Sequence, residues 1–283
     1  MRLRPVFRRH AALRDDIGDL VTRRPVPGPA LRHLDPFLFL NHHGPQVYPP
    51  GNRGLPFGPH PHRGFETVTF ILSGELAHRD SGGHESIIRA GGVQWMTAGR
   101  GLVHAELSPQ AFKEKGGPLE ILQLWVNLPA RLKMTDPAYV GLEAADIPQI
   151  AVADGKAAIH LVAGAMSGVK GPVQPLTDIA LMWITLQPSA RLDLPAPEGK
   201  TIFLYVVDGS VRSGGSDLPE HHLAEMGDGD AVRIEADEKA TILFGHGTPF
   251  DEPIVAHGPF VMNRPEEIRQ AIEDYQQGRL GAL

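Results

Sequence analysis

Apolar and β-branched residues come along this chain in short runs punctuated by glycine. Residues 66–72 read Glu-Thr-Val-Thr-Phe-Ile-Leu, and a run of that length and composition predicts a buried strand. Ser73-Gly74 turns the chain into a second strand, 75–80, and Ser81-Gly82-Gly83 into a third, 85–89. Ala90-Gly91-Gly92 then leads into Val93-Gln94-Trp95-Met96-Thr97. Residues 35–40 (Asp-Pro-Phe-Leu-Phe-Leu) and 121–128 (Ile-Leu-Gln-Leu-Trp-Val-Asn-Leu) are further strands. Residues 1–35 read as short strands and turns, because Pro25-Val26-Pro27-Gly28-Pro29 cannot hold a helix. Between Asn41 and Pro59, glycine, proline and histidine dominate. That stretch predicts a long loop over one end of the first domain, with His42 and His43 as a solvent-facing pair.

From about residue 145 the pattern begins again, with strands predicted at 157–162, 179–186, 201–207 and 231–235. Phe70-Ile71-Leu72-Ser73-Gly74 has a counterpart in Leu204-Tyr205-Val206-Val207-Asp208-Gly209. The Gly92-Val93 turn has one in Gly227-Asp228-Gly229-Asp230-Ala231. This is a weak internal duplication, and it sets the expected domains at 1–140 and 141–283. Strands this short, spaced by glycine turns, predict an all-β fold of two tandem β-barrels of one design. One helix is expected, at about 265–277. Pro265 opens it, Glu266 and Glu267 follow, Ile268, Ile272 and Tyr275 share a face, and Gly278 ends it.

Composition narrows the class. The 283 residues are 42% hydrophobic and 21% charged, a soluble globular balance. A net charge of −6 gives no electrostatic case for direct nucleic-acid binding. The absence of cysteine rules out disulfides and thiolate ligands, so a metal here needs nitrogen and oxygen donors. No apolar run reaches membrane-spanning length, and the N-terminal arginines lack an apolar signal core. A cytoplasmic monomer is the expectation.

Two short pairs carry the chemistry. In an extended chain residues i and i+2 point to one face. His60 with His62, and His104 with Glu106, are therefore two clamps if both segments are extended. Brought together they make a site of three nitrogens and one carboxylate, which suits a catalytic iron, manganese, nickel, cobalt, copper or zinc with positions open to substrate. Glu66 is the rival carboxylate. It has the parity of His62, but four residues of straight strand put it about 13 Å away. His78, His84, His160, His221, His222, His246 and His257 lack a paired motif and read as structural or surface residues. Trp95 and Met96 read as core, and Arg100 and Gly101 as the turn that aims His104. Pro219-Glu220-His221-His222 is a partial echo in the second half, to which no metal is assigned.

The spacing Gly54-x5-His60-x-His62-x3-Glu66 resembles the first metal motif of the cupin superfamily. His60-Pro61-His62-Arg63-Gly64-Phe65-Glu66-Thr67-Val68, residues 93–101 and His104-Ala105-Glu106 resemble the pirin family in particular. The likeness extends through Asp35-Pro36-Phe37, Leu124-Trp125-Val126-Asn127-Leu128 and His257-Gly258-Pro259-Phe260-Val261-Met262-Asn263, and so spans nearly the whole chain. The resemblance implies a bicupin of two jelly-roll barrels. It places one divalent metal, Fe(II) first among the candidates, in the N-terminal barrel only, on His60, His62, His104 and Glu106. It also implies flavonol (quercetin) 2,3-dioxygenase chemistry on a small polyphenolic substrate and O2, with Glu106 serving as ligand and base. The other class associated with pirins is a metal-sensitive regulator acting through a protein partner. An enzyme needs an apolar-walled pocket wide enough for three rings above the metal, with the 41–59 stretch as its mouth.

Overall fold

The structure, a computed structural model, describes residues 1–283. Two compact units share the chain. One comprises residues 14–23, 37–146 and 250–283, and the other residues 1–13, 24–36 and 147–249. The C-terminal segment thus belongs with the first half of the chain, and the first strand with the second half.

The unit holding residues 37–146 is built on two antiparallel sheets. The larger runs in the order Ala138–Leu142, Val93–Thr97, Phe65–Ser73, Gly117–Asn127, Phe37–Tyr48, Thr22–Val26, Leu13–Arg14. The smaller runs Phe57–His62, Leu102–Leu107, Glu75–Asp80, Glu85–Arg89. Tyr48, Ile71, Leu119 and Ile121 from the larger sheet pack against Phe57, Leu76 and Ile88 from the smaller. The other unit repeats the plan. Its larger sheet runs Val6–Ala11, His222–Met226, Thr201–Asp208, Ala240–Gly247, Ile179–Leu186, Ala157–Ala163, Gln149–Val152. Its smaller sheet runs Ala190–Pro195, Ala231–Ala236, Val211–Ser213, Ser216–Leu218.

The architecture is mostly β and cupin-like, but the expected barrels are not there, because no sheet closes on itself. Each unit is a pair of open sheets facing across a core. In the first, the outer strand Phe57–His62 carries Pro59 and Pro61. Proline lacks the N–H that a closing strand would need, so it is confined to edges of this kind.

The predicted loop at 41–59 is also corrected. Residues 41–48 continue the strand Phe37–Tyr48, paired to Gly117–Asn127 with Tyr48 opposite Gly117. His42 and His43 are buried rather than solvent-facing. His42 Nε2 lies 2.9 Å from Glu120 Oε1, and His43 Nδ1 lies 2.9 Å from Thr22 Oγ1. The ladder and these partners override a composition that reads as loop. A second helix, Gln110–Lys115, accompanies the expected one. The C-terminal helix spans Pro265–Gln276, and Glu267 Oε2 accepts from the backbone N–H groups of Asn263 and Arg264 at its start. Its buried residues are Ile268 and Ala271, whereas Tyr275, expected on the same face, is exposed. No helix is long and apolar enough to cross a membrane.

Candidate metal centre

The two clamps are on neighbouring strands. Phe57–His62 runs antiparallel to Leu102–Leu107, with His60 opposite His104 and His62 opposite Leu102. The parity of both strands puts all three imidazoles on one face, and their ligand nitrogens lie within 4.8 Å of one another. The Nε2 atoms of His60 and His104 are 2.9 Å apart. Two ligands at right angles on a cation, each bound at about 2.1 Å, stand about 3.0 Å apart, so this spacing fits a coordination site. Trp95 and Met96 are buried, as expected of core residues.

Hydrogen bonds set which nitrogen is available. The Nδ1–H of His60 donates to the Gly58 carbonyl at 2.7 Å, and that of His62 to the Pro259 carbonyl at 3.3 Å. Each leaves an Nε2 lone pair for a metal. His104 Nδ1 is buried without a partner. Burial, then the neighbouring His60, pull His62 down to about 3, against the Pro259 hydrogen bond. Burial, then His62, His60 and His78, hold His104 well below the usual imidazole range. Both are neutral at pH 7, the form that binds a metal. His62 and His104 are buried and His60 is half-buried, so the site opens to solvent on the His60 side.

The fourth expected ligand is held differently. Glu106 is not in the close histidine group. Its Oε1 accepts from Thr69 Oγ1 at 3.1 Å and its Oε2 from Gln123 Nε2 at 2.6 Å. Two accepted bonds leave further lone pairs on that carboxylate. Glu66 Oε1 accepts from Trp95 Nε1 at 3.1 Å and Thr97 Oγ1 at 2.6 Å, while its Oε2 is buried without a partner. Burial pushes the Glu66 carboxyl up, opposed by those two hydrogen bonds.

Several neighbours escaped the sequence reading. On the next strand His78 lies opposite Glu106, and Asp80 opposite His104. His78 Nε2 is 3.0 Å from Asp80 Oδ2, and Asp80 is also bonded by His84 and the Gly82 N–H. Burial works against the Asp80 charge, but the bonds from His78 and His84 outweigh it and hold the carboxyl low. The His78 ring stacks on Tyr139 at 4.0 Å. His78 and Asp80 have the same i, i+2 spacing as the candidate ligands, which was the available signal. Thr69 and Gln123 sit inside ordinary strand sequence and gave none.

Beside His62 stands a group of aromatic side chains. Trp125 lies 5.4 Å from the His62 ring, 4.5 Å from Phe39 and 4.4 Å from Phe65. Phe39 and Trp125 are only partly buried, and Trp125 Nε1 has no partner. Beneath Glu106, a cavity of about 10 Å³ is lined by His43, Leu55, Phe57 and Gln123 among others, room for one water.

The Pirin family model matches residues 19–126, and the Pirin C-terminal cupin domain model matches residues 181–281. A pirin-like protein of Solanum lycopersicum is 40% identical over 286 residues, covering 99% of this chain and 94% of its own. Human Pirin is 38% identical over 266 residues, covering 92% and 87%. The crystal structure of a quercetin 2,3-dioxygenase from Acinetobacter baumannii superposes with a TM-score of 0.93 at 34% identity, covering 99% of both chains. Likeness of this extent, across both family models and nearly every residue, makes the chain a member of the pirin family.

Proposed function

We propose that this chain is a metal-dependent quercetin 2,3-dioxygenase, opening a flavonol with O2 and releasing carbon monoxide. The observation that carries the reading is the convergence of three imidazoles, His60, His62 and His104. The dioxygenase named among its structural relatives supports it. The metal we favour is Fe(II), with Glu106 as fourth ligand. When bound, it would supply Lewis acidity toward the flavonol 3-oxygen and a redox partner for O2.

The chain's own residues do the rest. His60 and His62 are oriented by the Gly58 and Pro259 carbonyls. Glu106, held by Thr69 and Gln123, accepts the proton when the flavonol 3-hydroxyl O–H bond breaks. The small cavity beneath Glu106 cannot take a three-ring molecule, since such ligands need about 300 Å³ or more. The substrate therefore lies outward of the histidines, on the side of Phe39 and Trp125, where aromatic faces suit a planar ring. One O2 is consumed per flavonol, both its atoms enter the products, and one ring carbon leaves as carbon monoxide. We place the protein in the cytoplasm as a monomer.

Aerobic turnover of quercetin by Fe(II)-loaded protein tests the reading, followed by loss of flavonol absorbance and by carbon monoxide release, with His62→Ala as control. Turnover that requires His62 is expected. A fully loaded protein without turnover would overturn the enzyme reading in favour of a regulatory one.

A further inference from the structure

The unit that carries the histidines includes a segment remote in sequence, residues 250–283. This segment braces both ligand-bearing strands. At the end of Phe57–His62, the Pro259 carbonyl accepts from the His62 ring at 3.3 Å and from the Arg63 N–H at 3.4 Å, and the Val261 N–H donates to the Arg63 carbonyl at 3.0 Å. Gly64, at φ +91°, passes so close that a Cβ there would sit 2.0 Å from the Val261 carbonyl oxygen. The buried Lys133 ammonium donates to the Gly64 carbonyl (2.8 Å), the Val261 carbonyl (3.0 Å) and Asn127 Oδ1 (2.8 Å). At the start of Leu102–Leu107, Val103 packs with Phe260, Met262, Ile268, Ala271 and Leu280. Ser81 Oγ donates to the Leu280 carbonyl at 2.8 Å while accepting from the Val103 N–H at 3.1 Å.

One ionic tie crosses this brace. Arg63 Nη1 lies 2.7 Å from Asp274 Oδ2, with side chains 5% and 14% exposed. Arg63 Nε donates to the Arg100 carbonyl at 2.5 Å, in the turn that leads to His104. The guanidinium therefore joins the two turns that flank the histidine-bearing strands, 62–64 and 99–101, and its charge is answered from the C-terminal helix. Asp274 is itself held by Gln270 and Arg279.

We propose that Asp274 is a positioning residue of the metal centre. Acting through Arg63, it keeps His62 against the Pro259 carbonyl, so that the C-terminal segment sets the affinity of the site for its metal. The proposal rests on the metal-binding part of the function proposed above and is independent of the dioxygenase reaction. A buried arginine deprived of its carboxylate turns toward water or shifts its backbone. Arg63 is bonded to His62 in the chain, so that shift moves the imidazole out of register. Outer partners of metal ligands typically govern affinity by 10–100-fold.

The test is Co(II) binding by chelator competition, with the d–d absorption of the bound ion as a second readout. Asp274→Asn is expected to weaken Co(II) at least about tenfold and to change the d–d band. Ile88→Val, in the core of the same unit, is expected to lower the melting temperature while leaving affinity and spectrum unchanged. If Asp274→Asn does not fold, Arg63→Lys is read the same way, because it keeps the charge but loses the planar fork that reaches both Arg100 and Asp274. Asp274→Asn binding Co(II) within about twofold of the parent, with the same spectrum, would overturn the proposal. So would an equal loss in Ile88→Val. Wild-type Co(II) binding that survives His62→Ala would instead overturn the metal-site reading itself.

Discussion

In the unit that holds the histidines, Phe57–His62 and Leu102–Leu107 are the outer and second strands of the four-stranded sheet. In the other unit those places are taken by Ala190–Pro195 and Ala231–Ala236. His60 faces His104 in the first pair. In the second, Leu192 faces Ile234 and Leu194 faces Val232, all four inside an apolar core with Met182, Leu204, Ile242 and Phe244. Where one interior offers imidazole nitrogens, the other offers methyl groups. The shared plan therefore does not need the histidines. Buried polar groups cost free energy unless partnered, and the first unit keeps a cluster of them because something other than folding uses it.

The sharpest way to break this comparison is to make the first interior resemble the second. His62→Leu should lower metal affinity by about a hundredfold or more, beyond the range of outer-partner changes, measured by chelator competition and metal analysis. The metal-free protein should melt at or above the parent temperature, because an apolar side chain replaces a buried polar one. Undiminished metal content would remove His62 from the site. The reciprocal change is Ile234→Ala in the second unit. Ile234 is fully buried, so its truncation should cost about 2–5 kcal/mol of stability, read by denaturant unfolding, with metal content untouched.

Acid sharpens the contrast in a different way. The folded pKa of His62, about 3, lies below its unfolded value of 6.5, and that of His104 is shifted in the same direction. For His62, neutral burial contributes stability that is complete above about pH 6.5 and lost as pH falls toward 3, and His104 acts in the same direction. His246 in the second unit, pulled down to about 4 by burial and then by Lys200 and Arg4, behaves alike. On the proposed ligand set, a metal would occupy lone pairs in the first unit only. Zinc should therefore move the acid-unfolding midpoint of the wild type to lower pH and leave that of His62→Leu unchanged.

The difference between the units also bears on what the sequence made legible. The glycine-spaced runs located most strands of both, and the i, i+2 spacing located the three histidines, because both signals are local. The barrels were not borne out, since whether an edge strand meets a partner is decided across the sheet. The strand at 41–48 was hidden because its polar side chains find Thr22 and Glu120 only after folding. The assignment of Val6–Ala11 to the second unit and of the C-terminal helix to the first was equally invisible. In the two larger sheets, Val6–Ala11 and Ala138–Leu142 take matching terminal places, and nothing in their sequences says which sheet each completes.

The finest distinction lies between two carboxylates within the first unit. Glu106 is tethered to Thr69 and Gln123 on the inner face beside His104, whereas Glu66 is tethered to Trp95 and Thr97 on the neighbouring strand. Glu106→Gln removes the charge that a divalent cation would use but keeps an amide oxygen for one of the two donors. The expected loss of metal affinity is at least about tenfold, the lower bound set by changes in outer partners, with turnover falling further because the proposed proton acceptor is gone. Glu66→Gln also keeps an acceptor for Trp95 and Thr97, and removes a charge that burial already disfavours. Its metal affinity should stay within about twofold and its stability should change little or rise, since a neutral amide costs less to bury than a carboxylate. Isothermal titration of both variants with one metal decides the matter. If Glu66→Gln loses metal and Glu106→Gln does not, the carboxylate of the site is the one that follows the His-x-His pair, and the geometry around Glu106 serves only the fold.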